Sequence, residues 1–338
     1  MKKIVIYGAG RVGTTAALNL MDVKTHHKAE IVLYSPHNHK RCEGALMDME
    51  DACAMQNITP CFAFKATSDI ADLADADAMV VCSGGLPSRE MYEDAAQKGI
   101  DDRLVQAVYN IDLMKQFAEA AKLSPHAVIF VLTNPVDLMC EVLRGLLPEH
   151  QVYGLGCWLD TARFRRELLS ELSKYFPRQR LSDIKACVIG HHNGTMFLHQ
   201  KSLVINGLHY RPAEMIEPAI KRTRGRGLTI TETNVQAADQ TANNGSYYGP
   251  ARMVSDVIEA FICGRVRDER LILPMNRQIL PVEDAELAGK YAQMPCLIVR
   301  KSVVAVETKL SASDVVNMKR CLAVYEQDKE KLKAYMQQ

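Results

Sequence analysis

Short unbroken apolar runs alternate with longer amphipathic stretches through the first 150 residues. Ile4-Val5-Ile6-Tyr7, Ile31-Val32-Leu33-Tyr34, Met79-Val80-Val81-Cys82 and Val128-Ile129-Phe130-Val131-Leu132 lack polar alternation. That pattern marks strands covered on both faces. Residues 12–21, 44–55 and 104–122 carry helical periodicity between them. Strand and helix in alternation predict an α/β fold with a doubly wound parallel sheet. Right-handed crossovers then gather the turns at the strand C-termini along one edge, where ligands bind.

The second half reads differently. Residues 159–175 predict a helix and residues 184–189 a strand. Asn206-Gly207 stands between Ser202-Leu203-Val204-Ile205 and Leu208-His209-Tyr210, a hairpin signal because this pair accepts left-handed backbone. Helices are expected over 213–224 and 249–263, and a second hairpin between 271–273 and 296–299. A closing helix starts at Ser311 with Asp314 as capping-box partner. Val315, Met318, Leu322 and Tyr325 mark its buried stripe. The change of pattern after Pro148 divides the chain into residues 1–150 and an α+β unit over 151–338.

Composition narrows the classes. The 338 residues are 48% hydrophobic and 24% charged, which excludes wholesale disorder. Lys and Arg number 41 against 40 Asp and Glu. A balance this even lacks the basic field of a nucleic-acid or membrane-surface binder, so neither partner is expected. No apolar stretch reaches the ~18 residues of a membrane span. The apolar start stops at Gly8, too short for a signal-peptide core. Ten cysteines without a C-x-x-C pair argue against a metal ribbon and for free thiols in a reducing cytoplasm. The densest basic run, Lys221-Arg222-Thr223-Arg224-Gly225-Arg226, reads as a solvated helix end.

Gly8-Ala9-Gly10-Arg11-Val12-Gly13 follows the first strand and opens the first helix. In that context G-x-G-x-x-G is a dinucleotide fingerprint of a Rossmann-type sheet: a tight turn at Gly8, close backbone approach at Gly10, helix–strand packing at Gly13. The helix N-terminus then faces a pyrophosphate with its N–H groups. The carboxylate that usually binds the adenosine ribose at the end of the second strand is absent; Ser35 stands there. Ser35 does not repel a 2′-phosphate, and His37, His39, Lys40 and Arg41 follow closely. Either NAD or NADP fits this pattern.

Three further segments carry a family likeness. Thr133-Asn134-Pro135-Val136-Asp137 closes the last apolar strand of the first half. Leu159-Asp160-Thr161-Ala162-Arg163-Phe164 opens the next helix, and Gly190-His191-His192-Asn193-Gly194-Thr195 follows the strand after it. With the glycine turn, and with Asn243-Asn244-Gly245-Ser246-Tyr247-Tyr248-Gly249-Pro250-Ala251, the chain resembles the L-lactate/L-malate dehydrogenase family over nearly its whole length.

The resemblance implies a nicotinamide-dependent oxidoreductase acting on a small L-2-hydroxy acid or its 2-oxo acid. The first half would bind the cofactor and residues 151–338 would bind substrate. His192 matches the catalytic histidine, whose titration range suits proton transfer near neutrality. Asp160 would fix its tautomer. Arg163, three residues on and on the same helix face, would grip the substrate carboxylate. Arg103, seven residues before Asn110, matches a mobile-loop arginine that polarises the carbonyl. Asn134 matches an asparagine touching substrate and cofactor, and Asn134–Pro135 is a candidate cis peptide. The implied cofactor set is Gly8, Gly10, Arg11, Val12, Gly13, Ser35, Ser83, Gly84, Asn110 and Asn134.

Substrate choice in this family lies six residues before the loop arginine, where arginine suits malate and glutamine suits lactate. Here that residue is Gln97, which favours a 2-oxo monocarboxylate because a second carboxylate would be buried without a cation. Lys98 or Arg89 would supply such a cation and make malate the alternative. Ser246 matches a small hydroxylated pocket position. Three departures stand out: a lengthened lid over 87–103 with helical character at 88–96, Cys157-Trp158 before the Asp160 helix, and Asn193-Gly194 after the histidine. An NAD-dependent glycosidase and a catalytically silent dinucleotide binder are the remoter readings. The resemblance also implies a homo-oligomer, dimer or tetramer.

Overall fold

A computed structural model describes residues 1–37, 39–85, 89–100, 102–237, 245–266, 271–280 and 284–337. The first half runs β1 (Lys2–Tyr7), α1 (Arg11–Met21), β2 (Ala29–Tyr34), α2 (His39–Met55), β3 (Ala63–Thr67), β4 (Ala78–Val81), α3 (Arg89–Gln97), α4 (Asp102–Ala121), β5 (Val128–Val131), α5 (Val136–Leu146) and β6 (Val152–Leu155). The second runs α6 (Cys157–Leu172), β7 (Ile184–Lys185), β8 (Val188–Ile189), β9 (Phe197–Leu198), β10 (Val204–Ile205), α7 (Ala213–Ala237), α8 (Tyr248–Cys263), β11 (Ile272–Gln278), β12 (Tyr291–Val299), β13 (Ser302–Ala305) and α9 (Ala312–Met336).

The fold is α/β and Rossmann-type. One sheet has the order β13-β12-β11-β6-β5-β4-β1-β2-β3. Its β6-to-β3 portion is parallel, and β11, β12 and β13 extend it antiparallel. The apolar runs are buried on both faces because successive side chains point to opposite sides. Ile4, Ile6, Ile31, Leu33 and Val80 face α1 and α8, packing with Leu20, Val254, Val257 and Phe261. Val5, Val32, Met79, Val81 and Ile129 face α4 and α5, packing with Phe117, Met139 and Leu143. Helix α8 of the second half therefore covers one face of the first-half sheet.

Several expectations are corrected. Strands β3 and β6 carry too little apolar signal to stand out; β3 has the burial of a half-exposed edge. The 184–189 strand is broken into β7 and β8, which pair with β10 and β9 in two separate sheets. At the Asn206–Gly207 turn both residues take positive φ (53° and 79°), yet only an isolated bridge, Ile205 to Leu208, follows, and β10 turns to β7 instead. The second hairpin is longer than expected, pairing Ile272 with Leu297 through to Gln278 with Tyr291. Helix α7 continues past residue 224 to Ala237. Helix α9 opens on the Ser311–Asp314 capping box, and its fully buried side chains are Asp314, Met318, Cys321 and Leu332. Val315, Leu322 and Tyr325 are half-buried.

Candidate active site

The C-terminal ends of β1, β2, β4 and β5 line one edge, and each carries a sequence-predicted residue. Gly8 has φ 124°, and its N–H donates to Tyr34 O at 3.0 Å. A Cβ at Gly8 would meet Ser83 Oγ at 2.5 Å, and one at Gly13 would meet Gly8 O at 1.9 Å. A Cβ at Gly10 would meet nothing within 4 Å. Gly10 caps α1 with no side-chain hydrogen bond, and the first turn holds no acidic residue. This cradle fits a dinucleotide phosphate: close packing behind, open space in front, a positive dipole end without an opposing carboxylate. Ser35 directly follows β2 and donates its N–H to Thr67 O at 3.0 Å. Of the basic residues after it, His39 pairs with Glu43 at 3.0 Å.

Beyond β4, Thr133 Oγ1 donates to Ser83 O at 2.5 Å. Asn110 on α4 accepts from Gly85 N–H at 3.1 Å and donates to Asn134 O at 2.7 Å. These bonds fasten the loop after β4 to the turn after β5, where Asn134–Pro135 is cis.

Helix α6 starts one residue after β6, so β6 aims its first turn at this edge. Asp160 lies in that turn, fully buried, where the helix N-terminus favours a carboxylate. Its Oδ2 lies 2.5 Å from His192 Nδ1, and its Oδ1 accepts from Arg163 Nη1 at 3.4 Å. His192 is 15% exposed and Arg163 11%. One buried carboxylate thus holds an imidazole and a guanidinium that both keep a sliver of accessible surface. Burial pulls the Arg163 pKa down, the Asp160 charge opposes that, and Arg226 and Arg103 add to the lowering. Arg103 Nη1 donates to the His192 backbone carbonyl at 3.4 Å.

A residue without an assigned role in the sequence reading completes the cluster. Asp137, the last residue of the Thr133–Asp137 segment, accepts the His192 backbone N–H at 2.7 Å on Oδ2. Its Oδ1 accepts from Asn276 Nδ2 at 2.5 Å and Gln293 Nε2 at 2.8 Å. Gln293 Oε1 in turn accepts from Cys157 N–H at 3.4 Å. Asn276 and Gln293 point inward from β11 and β12, so the antiparallel extension of the sheet holds the histidine loop in place. Alternation along an apolar strand hides such residues: a buried amide reads as an ordinary polar break.

Arg103 is corrected in its setting: it is the second residue of α4, not a loop residue, and it is exposed. Pro87, Ser88 and Asp101 of the expected lid lie outside the described residues, as do Asn243 and Asn244. Helix α3 supplies the expected helical stretch but runs to Gln97, which ends it and is exposed. Lys98 pairs with Asp94 at 3.0 Å and stands over the Tyr335 ring. Among the described residues no hydrogen bond joins Gln97 or Ser246 to the His192 cluster. Arg11 stacks on Tyr247 at 5.5 Å, linking the glycine turn to the segment that holds Ser246. Among the described residues no group of three or more His, Cys, Asp or Glu is arranged to hold a metal, and no helix is long and apolar enough to cross a membrane.

Residues 2–154 match the family model of the lactate/malate dehydrogenase NAD-binding domain. A malate dehydrogenase of Bacillus cereus is 32% identical over 281 residues, 81% of this chain and 80% of that protein. The chain belongs to the lactate/malate dehydrogenase family. It is therefore an NAD-dependent oxidoreductase of that type. Two solved structures share the fold across almost the full length of each chain. Malate dehydrogenase of Plasmodium falciparum superposes with a TM-score of 0.74 at 19% identity, covering 99% of both chains. Lactate dehydrogenase of Cryptosporidium parvum, solved with lactic acid and NAD, superposes with a TM-score of 0.77 at 20% identity, covering 98% of both.

Proposed function

We propose that this dehydrogenase interconverts a small 2-oxo acid and its L-2-hydroxy acid. The observation that carries the reading is the division of one buried carboxylate: Asp160 Oδ2 to His192 at 2.5 Å and Oδ1 to Arg163 at 3.4 Å. Asp160 fixes the His192 Nδ1–H and leaves Nε2 to face substrate. A bound nicotinamide would supply the hydride that the carbonyl carbon takes up on reduction. His192 delivers the proton from Nε2 to the carbonyl oxygen, so a C=O becomes CH–OH and the imidazolium becomes neutral; oxidation runs the same steps backward. Asp160 stabilises the imidazolium before transfer. Arg163 holds the substrate carboxylate through paired donors, and Asn134 orients the substrate. Arg103 lies one hydrogen bond from the His192 backbone, within reach of a swing toward a developing oxyanion.

The cofactor role falls to Gly8, Gly10, Arg11, Val12, Gly13, Ser35, Ser83, Gly84, Asn110 and Asn134. Residues 1–150 bind the dinucleotide and residues 151–338 the substrate. With Ser35 in place of a ribose-binding acid, NADP is accepted beside NAD. Gln97 makes the preferred substrate a monocarboxylate, L-lactate or a related acid. Lys98, one of the two residues that could receive a second carboxylate, is engaged with Asp94 at 3.0 Å. Malate is the second reading, favoured by the name of the Bacillus cereus relative. The ten free thiols suit a reducing cytoplasm, and a homo-oligomer of two or four chains is expected. Oxidation of NADH and NADPH by the purified enzyme with pyruvate, 2-oxoisocaproate and oxaloacetate tests the substrate and cofactor readings. Pyruvate or 2-oxoisocaproate should win; a wide margin for oxaloacetate would replace the Gln97 reading with malate, and a strict preference for NADH would remove NADP.

A further inference from the structure

The basic run at 221–226 is not a solvated helix end. It lies inside α7, and two of its arginines reach across to α6. Glu167 stands one helical turn beyond Arg163 on α6 and is 7% exposed. Its Oε2 accepts from Arg222 Nε at 2.8 Å and its Oε1 from Arg226 Nη1 at 2.6 Å. Arg222 continues to Glu171 with a 2.5 Å hydrogen bond. Residues four apart on a helix are neighbours, so Glu167 is also the natural intrahelical partner of Arg163. Both of its oxygens are instead taken from α7.

Arg163 consequently makes one hydrogen bond among the described residues, the 3.4 Å contact to Asp160. Gly227, next to Arg226 on α7, packs beside the Arg163 guanidinium: a Cβ there would sit 3.4 Å from Nη1 and 3.8 Å from Nη2, ordinary contact distances. A buried carboxylate with a free oxygen recruits the nearest donor, because an unsatisfied buried charge is costly. Without Arg226, Glu167 Oε1 would lose its donor while Arg222 still held Oε2, and Arg163 stands four residues before Glu167 on the same helix.

We propose that Arg226, with Arg222, is a positioning residue: by saturating Glu167 it stops Arg163 from folding back onto its own helix and keeps the guanidinium available to the substrate carboxylate. The proposal rests on the reading of Arg163 as the carboxylate anchor. Glu167 is thus a latent competitor for the substrate, silenced from the neighbouring helix. The cationic surroundings fit, since Arg226 also bears on Arg163 electrostatically.

Steady-state kinetics of the full chain with NADH and the best of pyruvate, 2-oxoisocaproate and oxaloacetate test this. In R226Q the freed Glu167 captures Arg163; KM for the 2-oxo acid should rise about tenfold while kcat stays within about threefold, the mark of lost ground-state binding. Adding E167Q removes the competitor, and KM should return to within about twofold of wild type. A seam that merely joins α6 to α7 predicts the reverse, with E167Q/R226Q no better than R226Q. An unchanged KM in R226Q, or a double variant as poor as the single, overturns the proposal. Should R226Q fail to fold, E167Q alone decides: a KM within about twofold of wild type supports the proposal, and a tenfold rise overturns it. A wild-type enzyme that reduces none of the three acids overturns the functional reading and the proposal together, whereas an active wild type with the wrong variant pattern overturns the proposal alone.

Discussion

The β1–α1 turn and the α6 cluster are built in opposite ways. At the turn, side chains are kept out: Gly8 and Gly13 are positions where a Cβ would strike Ser83 or the Gly8 carbonyl, and the helix end at Gly10 is left uncapped. At α6, side chains are brought in from distant segments and tied together by buried carboxylates, Asp160 for His192 and Arg163, Asp137 for the His192 backbone. A phosphate is recognised by backbone N–H groups and a helix dipole, which need only space. A proton transfer and a carboxylate clamp need particular atoms at particular distances, which need a scaffold of buried hydrogen bonds.

Breaking the second region should hurt chemistry and spare cofactor binding. His192→Gln is the most severe change: kcat should fall about 10²–10⁴-fold, the range of a lost general acid. NADH affinity, read by fluorescence titration, should stay within about twofold if the two regions are independent. A matching loss of NADH binding would mean that they are not.

Breaking the first region should do the converse. Gly13→Ala places a methyl group 1.9 Å from the Gly8 carbonyl oxygen, so the turn must move. Overpacking of this kind costs about 1–3 kcal/mol, and a thermal melt should show a lowered Tm with weakened NADH binding. At saturating NADH, kcat should recover to near wild type. A variant with unchanged Tm and NADH affinity would show that the close packing at Gly13 is dispensable.

The smallest effect concerns thiols beside the two regions. Burial pushes the Cys82 thiol up to about 12 and the Cys157 thiol well above its ordinary value. Both stay protonated at neutral pH and gain reactivity only as the solution becomes strongly alkaline, because the thiolate is the nucleophile. Modification of the native enzyme at pH ~7.5 by an aromatic disulfide reagent should therefore proceed at the same rate in C82S and C157S as in wild type. A slower rate in either would place a reactive thiol at the site.

Legibility in the sequence followed the same divide. The parallel core was readable because its strands are uniformly apolar, and the glycine turn because three glycines at fixed spacing follow one of them. The Asp160, Arg163 and His192 positions were legible through a likeness to a family; helical spacing puts Asp160 and Arg163 on one face but does not tell such a pair from an ordinary surface one. Strand β3 was not readable, since Ala63–Thr67 is a half-exposed edge with a lysine in it. The 184–189 run hid a break between β7 and β8, because local propensity does not tell which partner each half will pair with. Asp137, Asn276, Gln293 and Glu167 were invisible as a group. Each is one polar residue in an apolar or charged context, and only the fold brings the donors to the acceptors. Arg103 illustrates a boundary effect: the family likeness implied a loop arginine seven residues before Asn110, whereas α4 begins one residue before Arg103.

Asp160→Asn gives the most direct test of the central claim. An amide in that place keeps the shape but loses the charge that two side chains share, and turns one acceptor oxygen into a donor. With NADH and the preferred 2-oxo acid, kcat should fall by about 10²-fold or more through His192. In the same variant KM should rise by about tenfold through Arg163. A loss confined to one of the two parameters would show that the carboxylate serves only one partner, and wild-type values of both would contradict the account.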